Sequence, residues 1–373
     1  MNKNKIFIFA GESSGDMHAA SLVRELKNIE PDFSISGIGG PEMLKEGVHL
    51  LYDLKQVNFI GFSSVIRNIK KIKSILNKCI SEIKKNKPAA VILVDYPGFN
   101  LKLIKEIRKF YSGKIIYYVS PQLWAWHKSR VKTIRKFVDL MLVVFPFEVD
   151  FYKNYGVEAH YFGHPLLDEI HPKDYAKHEA PQAVQPTIAL LPGSRKQEIS
   201  YLLPEYMKVA KRFPNYTFQV AALRGNGTEF YNAFDKPTNV EVVYDKTYAV
   251  LENATAAIVT SGTATLETAL LNVPEMICYK GSWISYQIAK RLVKGIRFIG
   301  IVNLIMDREV VKEFIQDDVT ENKLAAELER IINSPHKQTL LDNYAELRTK
   351  LGERGASSRV AKDVVDYLTK KGN

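Results

Sequence analysis

The sequence predicts an α/β fold of two successive Rossmann-like domains, each with a parallel sheet. Short runs of continuous rather than alternating apolar residues recur along the chain, a pattern typical of parallel strands covered on both faces. Helical stretches separate these runs, and the pattern restarts after an aperiodic segment at residues 173–186. A chain of 373 residues also favours two domains. We therefore expect two parallel sheets that face each other across a central cleft.

The first half supplies the first sheet and its helices, which we assign to a domain spanning residues 1–165. Its helices are expected near residues 17–26 and 101–111, where apolar residues recur at helical spacing. The predicted strands are residues 6–10, 89–94, 115–119 and 140–144.

The second half repeats this order in a domain spanning residues 166–345. Three helices close the chain, and those within residues 346–373 are expected to return to the first domain. The predicted strands are residues 187–191, 217–222, 256–260 and 274–279. The predicted helices are residues 199–213, a segment ending at 271, and residues 321–333, 337–351 and 357–370.

Composition excludes several classes of protein. The chain is 46% apolar and 25% charged, which fits a globular protein rather than a disordered one. Its two cysteines, Cys79 and Cys278, are too few for a disulfide framework or a four-cysteine zinc site. The first apolar run covers only residues 6–10, and no run approaches the length of a membrane span. We therefore expect a cytoplasmic protein.

The net charge of +11 is concentrated in two segments. Residues 67–87 carry eight basic side chains against one acid, on an amphipathic helical pattern, and follow an uncharged run at residues 57–65. Residues 283–297 repeat the theme with four basic residues and no acid. A solvated helix face explains this as well as an anionic membrane surface does. Nucleic acid is disfavoured because no nucleic-acid-binding motif accompanies the lysines.

Two strand ends in the first half carry candidate site residues. The segment after residues 6–10 contains Glu12, Ser14 and Gly15, and its glycines permit close approach of a substrate, although a plain turn remains open. The dinucleotide fingerprint G-x-G-x-x-G is absent. Asp95 follows the strand at 89–94 directly, where a carboxylate can deprotonate a hydroxyl nucleophile; a helix-capping role is the alternative.

Two strand-to-helix junctions in the second half suit a diphosphate, because a helix N-terminus presents backbone N–H groups and a positive dipole end. Arg195 adds a permanent positive charge that can pair with phosphate oxygens. Glu267 is placed to accept hydrogen bonds from the hydroxyl groups of a ribose. Either junction alone is a weak signal. The junction residues are Gly193, Ser194, Gly262, Thr263, Ala264 and Thr265. No metal motif is present, and we expect no metal or other cofactor.

Aromatic and histidine side chains near the same strand ends are ambiguous. Trp124 and Trp126 suit a core or acyl-chain contact as well as sugar stacking. His127 and His164 are more typical of packed, hydrogen-bonded histidines than of substrate ligands.

Taken together, these segments resemble the signatures of the lipid-A-disaccharide synthase family, glycosyltransferase family 19. They stand in the family's order and extend from residue 10 to about residue 315. The segments are AGESSGD (10–16), LVDYPGFN (93–100), SPQLWAWHKSR (120–130), FPFE (145–148), GHPL (163–166), LLPGSRKQEI (190–199), SGTATLE (261–267) and NLI (303–305).

The resemblance implies a GT-B fold and an inverting, metal-independent transfer in lipid A synthesis, on the inner face of the cytoplasmic membrane. The implied substrates are UDP-2,3-diacylglucosamine and 2,3-diacylglucosamine 1-phosphate (lipid X), joined by a β-1,6 bond with release of UDP. Asp95 and Arg195 match the family's essential aspartate and arginine, while Glu12 and Asn303 lie in matching motifs. Where relatives often carry a second acid this chain has Gly98, to which no role is assigned.

Two alternatives remain at this point. One keeps the fold and changes the reaction, to a UDP-sugar epimerase or another UDP-sugar transferase. The other is a catalytically silent protein that binds membranes or nucleic acid through its lysines. The number of subunits is also open, and a homodimer is compatible with the sequence.

Overall fold

The computed structural model describes residues 2–54, 69–125, 128–170, 185–283, 286–287, 297–333 and 335–369. Most of the aperiodic segment at 173–186, which we predict to be a linker or a long loop, lies outside these residues, as do the uncharged run at 57–65 and most of the second basic segment. The chain divides into two compact units, Met1–Asp168 with Gly352–Asn373, and Glu169–Leu351.

The first unit is built on a seven-stranded parallel sheet in the order β3-β2-β1-β4-β5-β6-β7. Chain order therefore reverses direction between the neighbouring strands β1 and β4. The strands are β1 (Asn2–Ala10), β2 (Ser34–Gly39), β3 (His49–Asp53), β4 (Pro88–Val94), β5 (Lys114–Tyr118), β6 (Leu140–Val143) and β7 (Ala159–Tyr161).

Helices cover this sheet and account for the continuous apolar runs, since strands such as β4 are buried on both faces. The helices are α1 (Ser13–Ile29), α2 (Pro41–Lys45), α3 (Ile69–Asn86), α4 (Pro97–Ile107), α5 (Val131–Phe137), α6 (Phe147–Lys153) and α7 (Leu166–Glu169). In α3, Ile75, Cys79 and Ile83 pack into the core at intervals of one helical turn. Its lysines lie on the opposite, exposed face.

The second unit contains a six-stranded parallel sheet in the order β10-β9-β8-β11-β12-β13, with its reversal between β8 and β11. The strands are β8 (Thr187–Leu191), β9 (Thr217–Ala222), β10 (Val240–Tyr244), β11 (Ala254–Thr260), β12 (Glu275–Tyr279) and β13 (Glu313–Ile315). The helices are α8 (Lys196–Arg212), α9 (Thr228–Asn232), α10 (Thr247–Glu252), α11 (Thr263–Leu270), α12 (Ile301–Met306), α13 (Glu321–Ile332) and α14 (His336–Leu351).

The last helix, α15 (Ala356–Thr369), belongs to the first unit. The carboxylate of Asp168 accepts hydrogen bonds from the backbone N–H groups of Gly355, Ala356 and Ser357 at 2.5, 3.2 and 2.9 Å. It therefore caps the N-terminus of this helix. Among the described residues, no helix combines the length and the apolar character needed to cross a membrane.

Two helices of the first unit begin four residues earlier than the sequence predicts. The first, α1, begins at Ser13 rather than near residue 17, because Glu12 is its extended N-cap and Ser13–Asp16 form its first turn. The other, α4, begins at Pro97 and ends at Ile107, since proline suits the first turn of a helix. Five strands were not predicted: β2, β3, β7, β10 and β13.

Candidate active site

The candidate residues of the first unit meet at the reversal of strand order, where ligands of open α/β sheets bind. Ala10 at the end of β1 is the register partner of Val94 at the end of β4. Glu12 and Asp95 follow these two partners, so they leave the sheet side by side. Glu12 is exposed, whereas Asp95 is half-buried.

Asp95 and Tyr96 form a strained turn between β4 and α4. Both have left-handed backbone conformations, with φ of 44° and 47°, which are unfavourable for residues other than glycine. The Asp95 carbonyl accepts hydrogen bonds from Asn100 Nδ2 at 2.7 Å and from the Tyr117 hydroxyl at 2.5 Å. Its N–H donates to the carbonyls of Tyr118 and Val119, both at 3.1 Å. Side chains of α4 and β5 and two backbone carbonyls at the end of β5 therefore hold the Asp95 backbone in this conformation.

The surroundings of Asp95 favour its protonated form more than water does. Burial, and to a smaller extent the negative charge of Glu12, raise the pKa of its carboxyl to about 7, against a hydrogen bond from the Tyr96 backbone. A carboxyl group with a pKa near neutrality can accept and return a proton at physiological pH, as a general base must.

The neighbouring motif residues have different surroundings. Ser14 is half-buried in the first turn of α1, and Gly15 packs close to Val94. Asp16 is buried, and its carboxylate accepts backbone N–H groups of Gly40, Glu42 and Met43 at 2.7, 3.0 and 3.2 Å. Asp16 therefore has a structural role, holding the N-terminus of α2 against α1.

In the second unit, the corresponding reversal lies between β8 and β11. Gly193 follows β8 with φ of 111°, and a Cβ there would lie 2.8 Å from a carboxylate oxygen of Glu198, so this turn requires glycine. Arg195 is the N-cap of α8 with its side chain 70% exposed, and its guanidinium donates to Glu198 Oε1 at 3.1 Å. The Ser194 carbonyl accepts Asn226 Nδ2 at 3.1 Å.

The junction after β11 leaves space at the start of α11. Apart from Gly262 and its two chain neighbours, no atom of the described residues lies within 4 Å of the Cβ position there, so a ligand can approach this backbone closely. Thr265 is buried, and its hydroxyl donates to the Gly262 carbonyl at 2.8 Å. Thr263 and Ala264 are half-buried at the first positions of the helix. The Ser261 hydroxyl donates to the Ile299 carbonyl at 2.9 Å, which fastens this junction to the loop before α12.

Glu267 lies one turn further along α11. It is half-buried, and burial raises the pKa of its carboxyl to about 7 although it accepts a hydrogen bond from the Tyr248 side chain. A carboxyl group in this position can accept hydrogen bonds from hydroxyl groups of a ligand.

Asn303 differs from the other candidates because its amide is fully engaged inside the protein. Its Nδ2 donates to the Val311 carbonyl and Glu313 Oε1 at 2.7 and 2.8 Å. Its Oδ1 accepts the N–H groups of Val310 and Val311 at 2.7 and 2.9 Å. These four bonds satisfy the whole side-chain amide, and the residue is completely buried. Asn303 therefore holds the loop after α12 and the side chain of Glu313.

The structure thus brings Glu12 together with Asp95 in the first unit, and Arg195 with Gly193 and Glu198 in the second. Sequence reasoning missed Glu198, which follows Arg195 at one-turn spacing and could have been found from that spacing. His164 is buried, its Nδ1 accepts the Leu166 N–H at 3.2 Å, and burial lowers its pKa to about 3. Trp126 and His127 lie outside the described residues.

No group of three or more His, Cys, Asp or Glu side chains among the described residues is arranged to hold a metal ion.

Comparison with known proteins shows the family of this chain. The family model of lipid-A-disaccharide synthetase matches residues 6–364. A lipid-A-disaccharide synthase of Geobacter sulfurreducens is 39% identical over 99% of this chain and 98% of the relative. That of Myxococcus xanthus is 37% identical over 98% of both.

Solved structures share the fold at much lower identity. A glycotransferase of kitacinnamycin matches with a TM-score of 0.66 at 14% identity, over 98% of both chains. A putative UDP-N-acetylglucosamine 2-epimerase of Listeria monocytogenes matches with a TM-score of 0.66 at 10% identity, over 99% of this chain and 98% of that one. With the two parallel sheets, these likenesses identify the fold as GT-B.

Proposed function

The chain belongs to the lipid-A-disaccharide synthetase family and is a GT-B glycosyltransferase of lipid A disaccharide synthesis, and we propose that Asp95 is its catalytic base. The enzyme takes a UDP-sugar donor and a lipid acceptor. The proposed donor is UDP-2,3-diacylglucosamine and the proposed acceptor is lipid X. The product is then the β-1,6-linked disaccharide 1-phosphate, with UDP released.

The strained turn at Asp95 is the observation that supports this proposal most directly. A backbone held by four hydrogen bonds presents one carboxyl group at the end of β4, with a pKa of about 7. In the proposed reaction, this carboxylate accepts the proton of the acceptor 6-hydroxyl while the oxygen attacks the anomeric carbon of the donor. The bond from that carbon to the diphosphate oxygen breaks, and attack from the opposite face inverts the configuration.

The second unit is proposed to bind UDP. Arg195 pairs with the diphosphate and stabilises the charge that develops on it as UDP leaves. The Arg195 side chain is 70% exposed and its guanidinium bonds Glu198 at 3.1 Å, so solvent-facing N–H groups are accessible to a ligand. Glu267 accepts hydrogen bonds from the ribose. The backbone at the junctions supplies the remaining contacts, through Gly193, Ser194, Gly262, Thr263, Ala264 and Thr265.

Asn303 is proposed to contribute indirectly. Its amide and Glu313 together hold the loop before α12, since Glu313 accepts the N–H groups of Ile299 and Gly300 at 2.8 and 2.9 Å. The Ile299 carbonyl in turn accepts the Ser261 hydroxyl beside the second junction. In the first unit, Glu12, Ser14 and Gly15 are proposed to surround the acceptor sugar, with Glu12 tuning Asp95.

We also infer that the first unit meets the inner face of the cytoplasmic membrane through α3. The exposed face of this helix carries Lys70, Lys73, Lys78, Lys84 and Lys85, which suits anionic lipid headgroups. Phe110 is 42% exposed beside Lys84, so apolar surface adjoins the charge. A homodimer stays a prediction, which the mass of the protein in solution tests.

Turnover assays test the proposed function. Purified protein is incubated with lipid X and either UDP-2,3-diacylglucosamine or non-acylated UDP-glucosamine derivatives, and products are identified by mass spectrometry. We expect disaccharide and UDP only from the acylated donor. Asp95→Ala should abolish turnover while UDP still binds in calorimetry. Turnover of the non-acylated sugar alone, including epimerisation, would overturn the substrate assignment, and an active Asp95→Ala variant would overturn the assignment of the base.

A further inference from the structure

Three of the sequence motifs not used in the proposed reaction meet in one cluster of the first unit, which is buried except for part of Trp124. The cluster joins the loop after β5, the turn after β6 and one face of α6. Its polar members are Ser120, Trp124, Glu148 and Tyr152. Because both loops leave the carboxyl ends of their strands, the cluster lies on the edge of the sheet that also carries Asp95.

Helix α6 holds the loop after β5 at two points. Glu148 Oε1 accepts the indole N–H of Trp124 at 3.2 Å. One helical turn later, the hydroxyl of Tyr152 shares a hydrogen bond with the hydroxyl of Ser120 at 2.8 Å. Residues four apart lie on one helix face, so α6 presents both groups toward the same loop. Leu123, between the two held positions, is buried.

The FPFE motif explains the orientation of Trp124. Phe147 packs edge-on against its indole ring, with centroids 5.2 Å apart and planes at 88°. Phe145 stacks on Phe147 at 5.6 Å and 4°, and lies 5.5 Å from the buried His164 ring. Each large residue of the motif therefore contacts Trp124 or supports a neighbour that does.

Glu148 is unusual among these residues because it is a completely buried acid. Its second oxygen accepts the N–H groups of Val144 and Phe145 at 3.3 and 3.1 Å, so one side chain joins the two loops. Burial raises the pKa of its carboxyl to about 8 despite these hydrogen bonds. A core position would be served at lower cost by an apolar side chain, since burying a carboxyl group is unfavourable.

We propose that Trp124 contacts the acylated acceptor sugar and that Glu148 is the positioning residue that sets the orientation of its indole. This inference rests on the proposed function. The indole is half-buried, so part of its apolar surface remains available beside the strand end that carries Asp95. An indole face suits a sugar ring or the first carbons of an acyl chain, and its N–H bond to Glu148 fixes which face is presented.

A double-mutant cycle tests the positioning role. Trp124→Phe removes the indole N–H but keeps an aromatic ring. Glu148→Gln keeps the shape of the side chain and one oxygen for the backbone N–H groups of Val144 and Phe145, while its amide nitrogen cannot accept a hydrogen bond from the indole N–H. We expect each variant to raise the KM for lipid X roughly three- to tenfold, the range for one lost hydrogen bond. The double variant should be no worse than either single one. The KM for the donor and the UDP affinity should not change.

The control variant is Tyr155→Phe, which removes a hydroxyl from a 38% exposed side chain just beyond α6. It should leave the KM for lipid X unchanged. Lower melting temperatures with an unchanged KM in both test variants would overturn the proposal, as would effects that add in the double variant. A wild-type protein that does not convert lipid X would instead contradict the proposed function itself.

Discussion

Glu12 and Asp95 lie side by side at the ends of adjacent parallel strands. Ala10, the last residue of β1, is the register partner of Val94, the last residue of β4, and the two acids follow these residues closely in the chain. The charge of Glu12 adds to the effect of burial in raising the pKa of Asp95 to about 7. The strand order of the sheet, rather than proximity in sequence, thus brings the two carboxyl groups together. They lie where the order of strands along the chain reverses, between β1 and β4.

Glu12→Gln should move the acidic limb of the pH–rate profile to lower pH. Removing the neighbouring negative charge lowers the pKa of Asp95, so the base form persists further into acid. The shift should be about half a pH unit, because Glu12 is exposed and interactions of exposed charges contribute roughly 0.2 to 1 kcal/mol. The shift is measured from kcat/KM for the acceptor, determined as a function of pH at a saturating concentration of the donor. Glu30→Gln, an exposed acid at the other end of α1, should leave the profile unchanged. A shift to higher pH would contradict the pairing.

Arg195→Ala should weaken UDP binding by roughly 1.5 to 3 kcal/mol, the contribution of hydrogen bonds to charged groups. The same substitution should reduce the affinity for UMP, which lacks the second phosphate, by less than it reduces the affinity for UDP. Titration calorimetry with both nucleotides measures the difference. The matched control is Arg212→Ala at the far end of the same helix, whose guanidinium bonds Asn322. Equal UDP affinities of wild type and Arg195→Ala would exclude a phosphate role.

Replacing Lys70, Lys73 and Lys84 of α3 by glutamine should weaken binding to anionic vesicles. Each lysine near such a surface contributes about 1 kcal/mol at moderate salt, so the triple variant should bind roughly a hundredfold more weakly. Co-sedimentation with vesicles containing phosphatidylglycerol measures the effect, and pure phosphatidylcholine vesicles serve for comparison. The control variant replaces Lys208, Lys211 and Lys236, exposed lysines of the second unit. If both triple variants lost the same affinity, net charge rather than α3 would account for binding.

Buried strands were predictable from sequence where both of their faces are apolar. Residues 187–191 and 217–222 were predicted with the bounds that β8 and β9 have. Strand β2, in contrast, has the sequence SISGIG and lacks a continuous apolar run. Its Gly37 is required by the packing of the sheet, because a Cβ at residue 37 would lie 1.7 Å from the carbonyl oxygen of Ile8 in the neighbouring strand β1. Gly37 permits this close contact between strands, but it also interrupts the apolar run from which a strand would be predicted.

Side-chain roles were less predictable than strands, because a motif does not reveal whether a polar group faces a ligand or the core. Asn303 and Asp16 stand in such motifs, yet their hydrogen bonds are made to backbone N–H groups and buried partners. Their partners are 7 to 27 residues away in sequence, so only the folded chain brings them together.

The buried acid Glu275 provides a separate test of the second unit. It opens β12, is completely buried, and neither carboxyl oxygen has a hydrogen-bond partner among the described residues. Burial raises the pKa of this carboxyl group well above its ordinary value of 4.5. The folded state therefore keeps a proton that the unfolded chain releases above that value, so this group lowers stability as pH rises from about 4.5 toward its folded pKa.

Glu275→Gln should therefore raise the free energy of unfolding at pH 8 by about 1 kcal/mol or more, and by less at pH 5, because the amide cannot ionise. Glu275→Met should stabilise further, since it also removes the unpartnered polar atoms from the core at similar volume. Urea denaturation at the two pH values measures both variants, with the exposed Glu241→Gln of β10 as control. A gain that was equal at pH 5 and pH 8 would show that ionisation of Glu275 does not limit stability.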